Sequence, residues 1–209
     1  MKETRPVVHV VDDDVSFRTA VLRLLRAAGH ETRGYGSAAE LLAAEPGQSP
    51  GCIVLDVRMP GASGLDLQKA LAAAEEPLPI VFLTGHGDIP ATVQAMKAGA
   101  VDFLTKPVER GVLLPAVEGA LARDVRARTE RTRLRELRAR YDTLTPREAE
   151  VLPLVVSGLL NKQIAAGLGL AERTVKAHRA RVMEKMRVES LADLVRMASQ
   201  LGLQKPGDR

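Results

Sequence analysis

Aromatic side chains are scarce in this sequence: three Phe, two Tyr and no Trp among 209 residues. So small a set leaves little surface on which single-stranded bases could stack. Cysteine is reduced to Cys52, which excludes an internal disulfide and a cysteine-built zinc site and fits a reducing compartment. Long apolar runs are missing as well. Val151 to Leu160, the longest, is ten residues and is interrupted by Pro153 and Gly158, short of the roughly 18 to 20 that a bilayer-spanning helix needs. The apolar stretch Val7 to Val11 stops at three aspartates, so it does not read as a secretory h-region. These absences predict a soluble, cytoplasmic protein with no membrane partner. What is present is ordinary globular material, 45% hydrophobic and 27% charged, enough for one large domain or two small ones.

Charge is spread unevenly. Residues 1–122 carry 11 Lys+Arg against 15 Asp+Glu, whereas residues 123–209 carry 19 against 11. An acidic half joined to a basic half predicts two domains with different partners, the basic one facing a polyanion; uneven solvated surface is the plain alternative. Between them, Arg123 to Arg140 holds eight arginines and three acids without Pro or Gly. Leu121, Val125, Leu134 and Leu137 recur there at loose helical spacing, so the connector reads as mostly helical. The expected organisation is a domain over 1–122, a linker over 123–141 and a second domain over 142–209.

The first half alternates strand and helix. Val7 to Val11 is a continuous apolar run suited to a strand buried on both faces. Val15 to Ala28 then places Phe17, Val21, Leu24, Leu25 and Ala28 on one helical face, with Gly29 closing the helix. A short strand over His30 to Tyr35 and a capping box at Ser37-Ala-Ala-Glu40 follow. The pattern repeats through strands at Cys52–Leu55, Ile80–Leu83 and Val101–Leu104, and helices at Leu65–Ala74, at Ile89–Ala98 and from about Glu109. Five strands alternating with five helices predict an open α/β doubly wound parallel sheet.

In such sheets ligands lie beyond the carboxyl ends of the strands. The residues there are Asp12, Asp13 and Asp14, then Asp56, Thr84 and Lys106. Clustered carboxylates repel one another unless a hard cation sits among them, and Mg²⁺ takes such oxygen ligands. One carboxylate can then attack a phosphoryl group, while a hydroxyl and an ammonium satisfy the new phosphoryl oxygens. A single acid at a strand end is more often a helix cap; several converging acids speak for a site.

These residues resemble the receiver domain of bacterial two-component response regulators. The carriers are Val-Asp12-Asp13-Asp14, Leu-Asp56-Val-Arg-Met-Pro60-Gly, Thr84-Gly-His-Gly and Asp-Phe103-Leu-Thr-Lys106-Pro107. The resemblance implies strand order 2-1-3-4-5, phosphoryl transfer to Asp56 from a sensor histidine kinase, and Mg²⁺ held by Asp12, Asp13, Asp56 and the backbone carbonyl of Arg58. It makes Thr84 and Phe103 a switch pair and Lys106 the cation for the phosphate, with a cis bond before Pro107. Arg58 and His86 fall where such domains tune loss of the phosphoryl group, and Gly85 leaves the site open.

The last seventy residues follow a different pattern. Thr145-Pro-Arg-Glu148 is a capping box with proline at the first helical position. A short helix over Asn161 to Leu168, a turn at Gly169 and a helix from Glu172 to about Arg187 make a helix-turn-helix, whose second helix enters the DNA major groove. On that helix Val175, Val182 and Met186 share the core side, while Arg173, Lys176, Ala177, Ala180 and Arg187 share the other. His178 falls on the core side as a packed histidine. A solvated amphipathic helix is the bland alternative. Ser190 caps a fourth helix striped by Leu191, Leu194, Val195, Ala198 and Leu201.

Leu144-Thr-Pro-Arg-Glu148, Asn161-Lys-Gln-Ile-Ala165 and Arg173-Thr-Val-Lys-Ala-His-Arg179 resemble the LuxR-type helix-turn-helix, and the combination resembles the FixJ/NarL class of response regulators. That resemblance brings Lys176, Ala177 and Ala180 to bases of double-stranded promoter DNA, and Lys162, Arg173, Thr174 and Arg179 to phosphates. It places a dimer contact on Leu191, Leu194, Val195 and Ala198, with a homodimer on activation and RNA polymerase as a further partner. Pro115 and Pro153 depart from the pattern: each removes a helical hydrogen bond and should bend its helix. Two rival functions remain open at this stage. Asp12 and Asp14 also fit the opening of haloacid-dehalogenase-type phosphatases, which would leave Asp56, Phe103 and the basic half unexplained. An RNA-binding antiterminator is disfavoured by the helix-turn-helix spacing and the few aromatics.

Overall fold

Three runs rich in β-branched and other apolar residues dictate the centre of the first half, because strands buried on both faces must be apolar at successive positions. The computed structural model describes residues 5–61, 63–74, 76–85 and 89–203. In it β1 (Val7–Val11), β3 (Gly51–Asp56) and β4 (Ile80–Thr84) are buried throughout, while the more polar β2 (Glu31–Tyr35) and β5 (Asp102–Thr105) take the edges. All pairings are parallel, in the order β2-β1-β3-β4-β5. The doubly wound α/β sheet and its strand order are as expected.

The period of two along each strand divides the core between two faces. Val8, Val10, Cys52, Val54, Val81 and Leu83 meet α1 (Val15–Ala27) and α5 (Arg110–Tyr141) through Val21, Leu25, Leu113 and Val117. Val11, Ile53, Leu55, Ile80 and Phe82 meet α2 (Ala38–Ala43), α3 (Gly64–Ala72) and α4 (Ile89–Lys97) through Leu41, Leu67, Leu71 and Ala95. Caps begin most of these helices. Asp14 accepts from the N–H groups of Ser16 and Phe17, and Ser63 from that of Asp66. At Ser37 only half of the expected box forms: Ser37 accepts from the Glu40 N–H, but the Glu40 carboxylate takes the Gly36 N–H, one residue earlier.

Boundaries shift from the sequence expectation by a residue or two, as at β3, which extends to include Asp56. A short 3₁₀ turn at Pro46–Gln48 has no periodic signal and was not foreseen. The last helix of the first half and the connector are one helix, Arg110–Tyr141, and it continues through Pro115; α6 (Pro146–Val156) likewise continues through Pro153. The chain divides into two compact units, residues 1–128 and 129–209. The division falls inside the arginine-rich stretch. In the first unit Arg128 donates to Asp124 and Glu76 and to the carbonyls of Gly47 and Ser49, and buried Asp124 accepts from the Gly51 N–H that opens β3.

The second unit is all-helical: α6, α7 (Asn161–Leu168), α8 (Glu172–Met186) and α9 (Leu191–Gln200) enclose Val151, Leu152, Ile164, Val175, Val182, Met186, Leu194 and Ala198, joined by Leu137. Both arms of the Thr145–Glu148 capping box form. Gly169 turns the chain between α7 and α8 at φ 66°, a conformation in which a side chain would be strained.

Candidate functional site: an acidic pocket and a basic helix

Parallel register brings distant residues together. Val11 pairs with Leu55, so Asp12 and Asp56, the next residues, stand side by side; Thr84 pairs with Thr105, which puts Lys106 next to it. Asp12, Asp56 and Thr84 are buried and Asp13 is exposed. Carboxylate oxygens of Asp12, Asp13 and Asp56 lie within 4.8 Å of one another, and this is the single cluster of its kind among the described residues. Lys106 follows β5 across a cis bond to Pro107. Its Nζ donates to Asp12 Oδ2 and to Asp56 Oδ2, each at 2.6 Å. Asp12 Oδ1 accepts from the Asp14 N–H at 3.0 Å, and Asp56 Oδ1 from the Arg58 N–H at 3.1 Å.

The electrostatics are those of a pocket with one anion too many. Burial raises the Asp12 carboxyl above the usual carboxylate range, and the Asp56 charge adds to this, while Lys106 and the Asp14 N–H pull it back only in part. Burial disfavours the Lys106 ammonium, but its bonds to Asp12 and Asp56 outweigh that and hold its pKa above the ordinary value. Three carboxylate oxygen donors within 4.8 Å of one another suit a hard divalent cation, which takes oxygen ligands. The residues present therefore fit Mg²⁺.

Around this pocket, Phe103 is half-buried with its ring centroid 5.9 Å from that of Phe82. Gly64 lies so close under β3 that a Cβ there would stand 2.4 Å from the Asp56 carbonyl oxygen, which holds the loop after Asp56 tight. Arg58 is exposed, and Gly85 has open space beside it; His86 lies outside the described residues. The third aspartate, Asp14, is committed to capping α1. Phe17, read from sequence as core, has a second contact: Lys106 Nζ stands 4.4 Å from its ring centroid. Its place in the first turn after Asp14 was the available signal, because that turn lies nearest the strand ends.

In the second unit α8 separates its faces as expected. Val175, Val182 and Met186 are buried; Arg173, Lys176, Ala177, Ala180 and Arg187 are exposed, as is Lys162 on α7, and Thr174 is half-buried. Arg179 differs: it is half-buried and donates to Asn161 Oδ1 at 2.7 Å, tying α8 to the first residue of α7. His178 is half-buried and belongs to no metal-binding cluster among the described residues. On α9, Leu194 and Ala198 are sealed in the unit's own core, and the exposed apolar side chains are Leu191 and Val195. Sequence reading also missed that Glu148, beyond its capping role, is buried against Lys185 Nζ at 2.6 Å. No helix among the described residues is long and apolar enough to cross a membrane.

Comparison with known proteins gives these two sites a family. Residues 8–118 match the response regulator receiver domain, and residues 142–198 match the bacterial regulatory proteins of the luxR family. This chain is a response regulator. It is 51% identical over 200 residues to nodulation protein W of Bradyrhizobium diazoefficiens, covering 96% of this chain and 88% of that one. It is 43% identical to the transcriptional regulatory protein FixJ of Azorhizobium caulinodans, covering 100% and 98%. The solved structure of the response regulator StyR, 48% identical, superposes with a TM-score of 0.82 over 94% of this chain and 99% of that one. A receiver joined to a LuxR-type helix-turn-helix makes this response regulator a phosphorylation-regulated, DNA-binding transcription regulator of a two-component system.

Proposed function

We propose that Asp56 is the phosphoryl acceptor and that its modification controls how the second unit engages promoter DNA. The observation that carries this reading is the convergence of Asp12, Asp13, Asp56 and Lys106 at the strand ends, with Lys106 already bonded to the acceptor carboxylate. A carboxylate oxygen of Asp56 attacks the phosphorus of a phosphohistidine on the sensor kinase; the new P–O bond forms as the P–N bond breaks. Asp12, Asp13, Asp56 and the backbone carbonyl of Arg58 hold Mg²⁺, which, when bound, neutralises charge on the transferring phosphoryl oxygens. Lys106 exchanges its carboxylate partners for a phosphoryl oxygen, and the Thr84 hydroxyl bonds a second one.

The added charge, about −1.5 to −2, draws Thr84 inward, and Phe103 rotates into the space it leaves. The face of α4 next to β5 is the surface reshaped. On α4, Ile89, Val93 and Met96 are exposed, an apolar set suited to pairing two receivers. Dimerisation brings two copies of α8 to half-sites about one helical turn apart. Lys176, Ala177 and Ala180 then approach base edges, while Lys162, Arg173 and Thr174 reach phosphates. Arg179 acts by holding α7 against α8, its guanidinium donating to Asn161 Oδ1. Leu191 and Val195 supply the α9 contact between copies, backed by Leu194 and Ala198 in the core beneath. RNA polymerase is the partner on which the bound dimer acts, in the cytoplasm.

The test is intact mass and promoter affinity with Mg²⁺ and a small phosphodonor, for wild type beside Asp56→Asn. The expected result is one phosphoryl adduct on wild type alone, and tighter DNA binding in that sample alone. Equal promoter affinity with and without phosphodonor would overturn the regulatory reading.

A further inference from the structure

We infer that Phe17 is a positioning residue for Lys106, and that its ring sets how readily the lysine ammonium serves the phosphoryl group. The inference rests on the proposed role of Asp56 and Lys106. Four contacts close a ring around the pocket. The Asp14 N–H donates to Asp12, and the Asp14 carboxylate accepts from the Phe17 N–H at 3.0 Å. The Phe17 ring faces Lys106 Nζ at 4.4 Å, and that nitrogen donates back to Asp12. The third aspartate thus fixes the first turn of α1, and that turn fixes the ring under the ammonium.

The chemistry needs such a support. At rest Lys106 is bonded to two carboxylates, at 2.6 Å each; in the phosphorylated state one of them has become an acyl phosphate and Asp12 is shared with Mg²⁺. The ammonium must change partners without leaving the pocket. Hydrogen bonds are directional and break during that exchange. Attraction to a ring face is broad, acting out to about 6 Å from the centroid, so the ring keeps hold of the ammonium while its hydrogen bonds are remade. Leucine at position 17 would keep an apolar side chain on the α1 side of the core and remove the ring quadrupole.

Phe17→Leu, Phe17→Tyr, Lys106→Met and the double variant Phe17→Leu/Lys106→Met are compared with wild type. The probe is a small phosphodonor with saturating Mg²⁺, and the rate of adduct formation is followed by intact mass. Phe17→Leu should slow adduct formation about three- to tenfold, the range expected from a partly desolvated cation–π contact, and Phe17→Tyr should restore it. In the Lys106→Met background Phe17→Leu should have no further effect. An independent readout is the NMR shift of the Lys106 side-chain Hε protons, moved by the ring current in wild type and ordinary in Phe17→Leu. An unchanged rate in Phe17→Leu, or an equal slowing in the Lys106→Met background, would overturn the inference. If wild type itself takes no phosphoryl group while Mg²⁺ binds, the Asp56 reading fails instead; the NMR shift then still reports whether the ring holds the lysine.

Discussion

Each unit of this response regulator buries a carboxylate against a lysine at 2.6 Å, yet the two pairs are tuned in opposite directions. In the second unit Glu148 faces one ammonium, that of Lys185, and also accepts from the Thr145 N–H, so its charge is more than matched. Those bonds, that of Lys185 first, hold its carboxyl down at about 2. In the receiver one ammonium is divided between Asp12 and Asp56 with Asp13 close by, and burial leaves the Asp12 carboxyl raised. The distance is the same; the ratio of donors to anions differs. The satisfied pair closes a fold, whereas the under-satisfied set holds negative charge that further positive charge would neutralise.

The largest effect should come from removing the shared cation. Lys106→Met leaves two buried carboxylates without their ammonium, a situation that costs several kcal/mol when uncompensated. Adduct formation at Asp56 should fall at least tenfold. Mg²⁺ should raise the variant's melting temperature more than it raises that of wild type, because the ion then supplies the missing positive charge. Equal Mg²⁺ stabilisation of the two proteins would show that the lysine was not neutralising the pocket. The matching change in the second unit, Lys185→Met, should cost about 2 to 3 kcal/mol, toward the low end for a broken buried pair because the lysine is partly exposed. Mg²⁺ should not repair it, and phosphorylation should be untouched.

Acid should separate the two pairs next. The folded-state pKa of Glu148 is depressed, so its contribution is present above the unfolded value near 4.5 and is lost as pH falls from there toward about 2. Thermal unfolding of residues 129–209 followed across that window should weaken in wild type and vary less in Glu148→Gln. An identical acid profile for the two would mean that the ion pair carries no net stability.

Much of this was legible in the sequence because it rests on periodicity and on covalent neighbours. Apolar runs placed β1, β3 and β4, and strand ends placed Asp12, Asp56, Thr84 and Lys106. The wheel of α8 sorted Val175, Val182 and Met186 from Arg173 and Lys176. What stayed hidden depends on where a long side chain ends. Arg179 sits on a basic helix, but its guanidinium is drawn to Asn161, eighteen residues away. Lys185 and Glu148 are thirty-seven residues apart, and neither residue type announces burial. On α9 the stripe gave the right face, but only packing shows that Leu194 and Ala198 are consumed by the core while Leu191 and Val195 are not.

The smallest effect tests the comparison where nothing is buried. Lys162 is exposed on α7, two residues into the helix-turn-helix, and no carboxylate is paired with it among the contacts described. An ammonium of that kind contributes to DNA binding by displacing condensed counterions. Lys162→Ala should therefore leave melting temperature and phosphorylation unchanged and weaken promoter and random duplex DNA alike. The slope of log affinity against log salt should become shallower by about 1, so the loss is about three- to fourfold smaller at 200 mM salt than at 50 mM. A loss confined to the promoter sequence would place Lys162 at a base edge. The contrast then has three grades: an ammonium shared between two carboxylates, one matched to a single buried carboxylate, and one exposed on a helix surface.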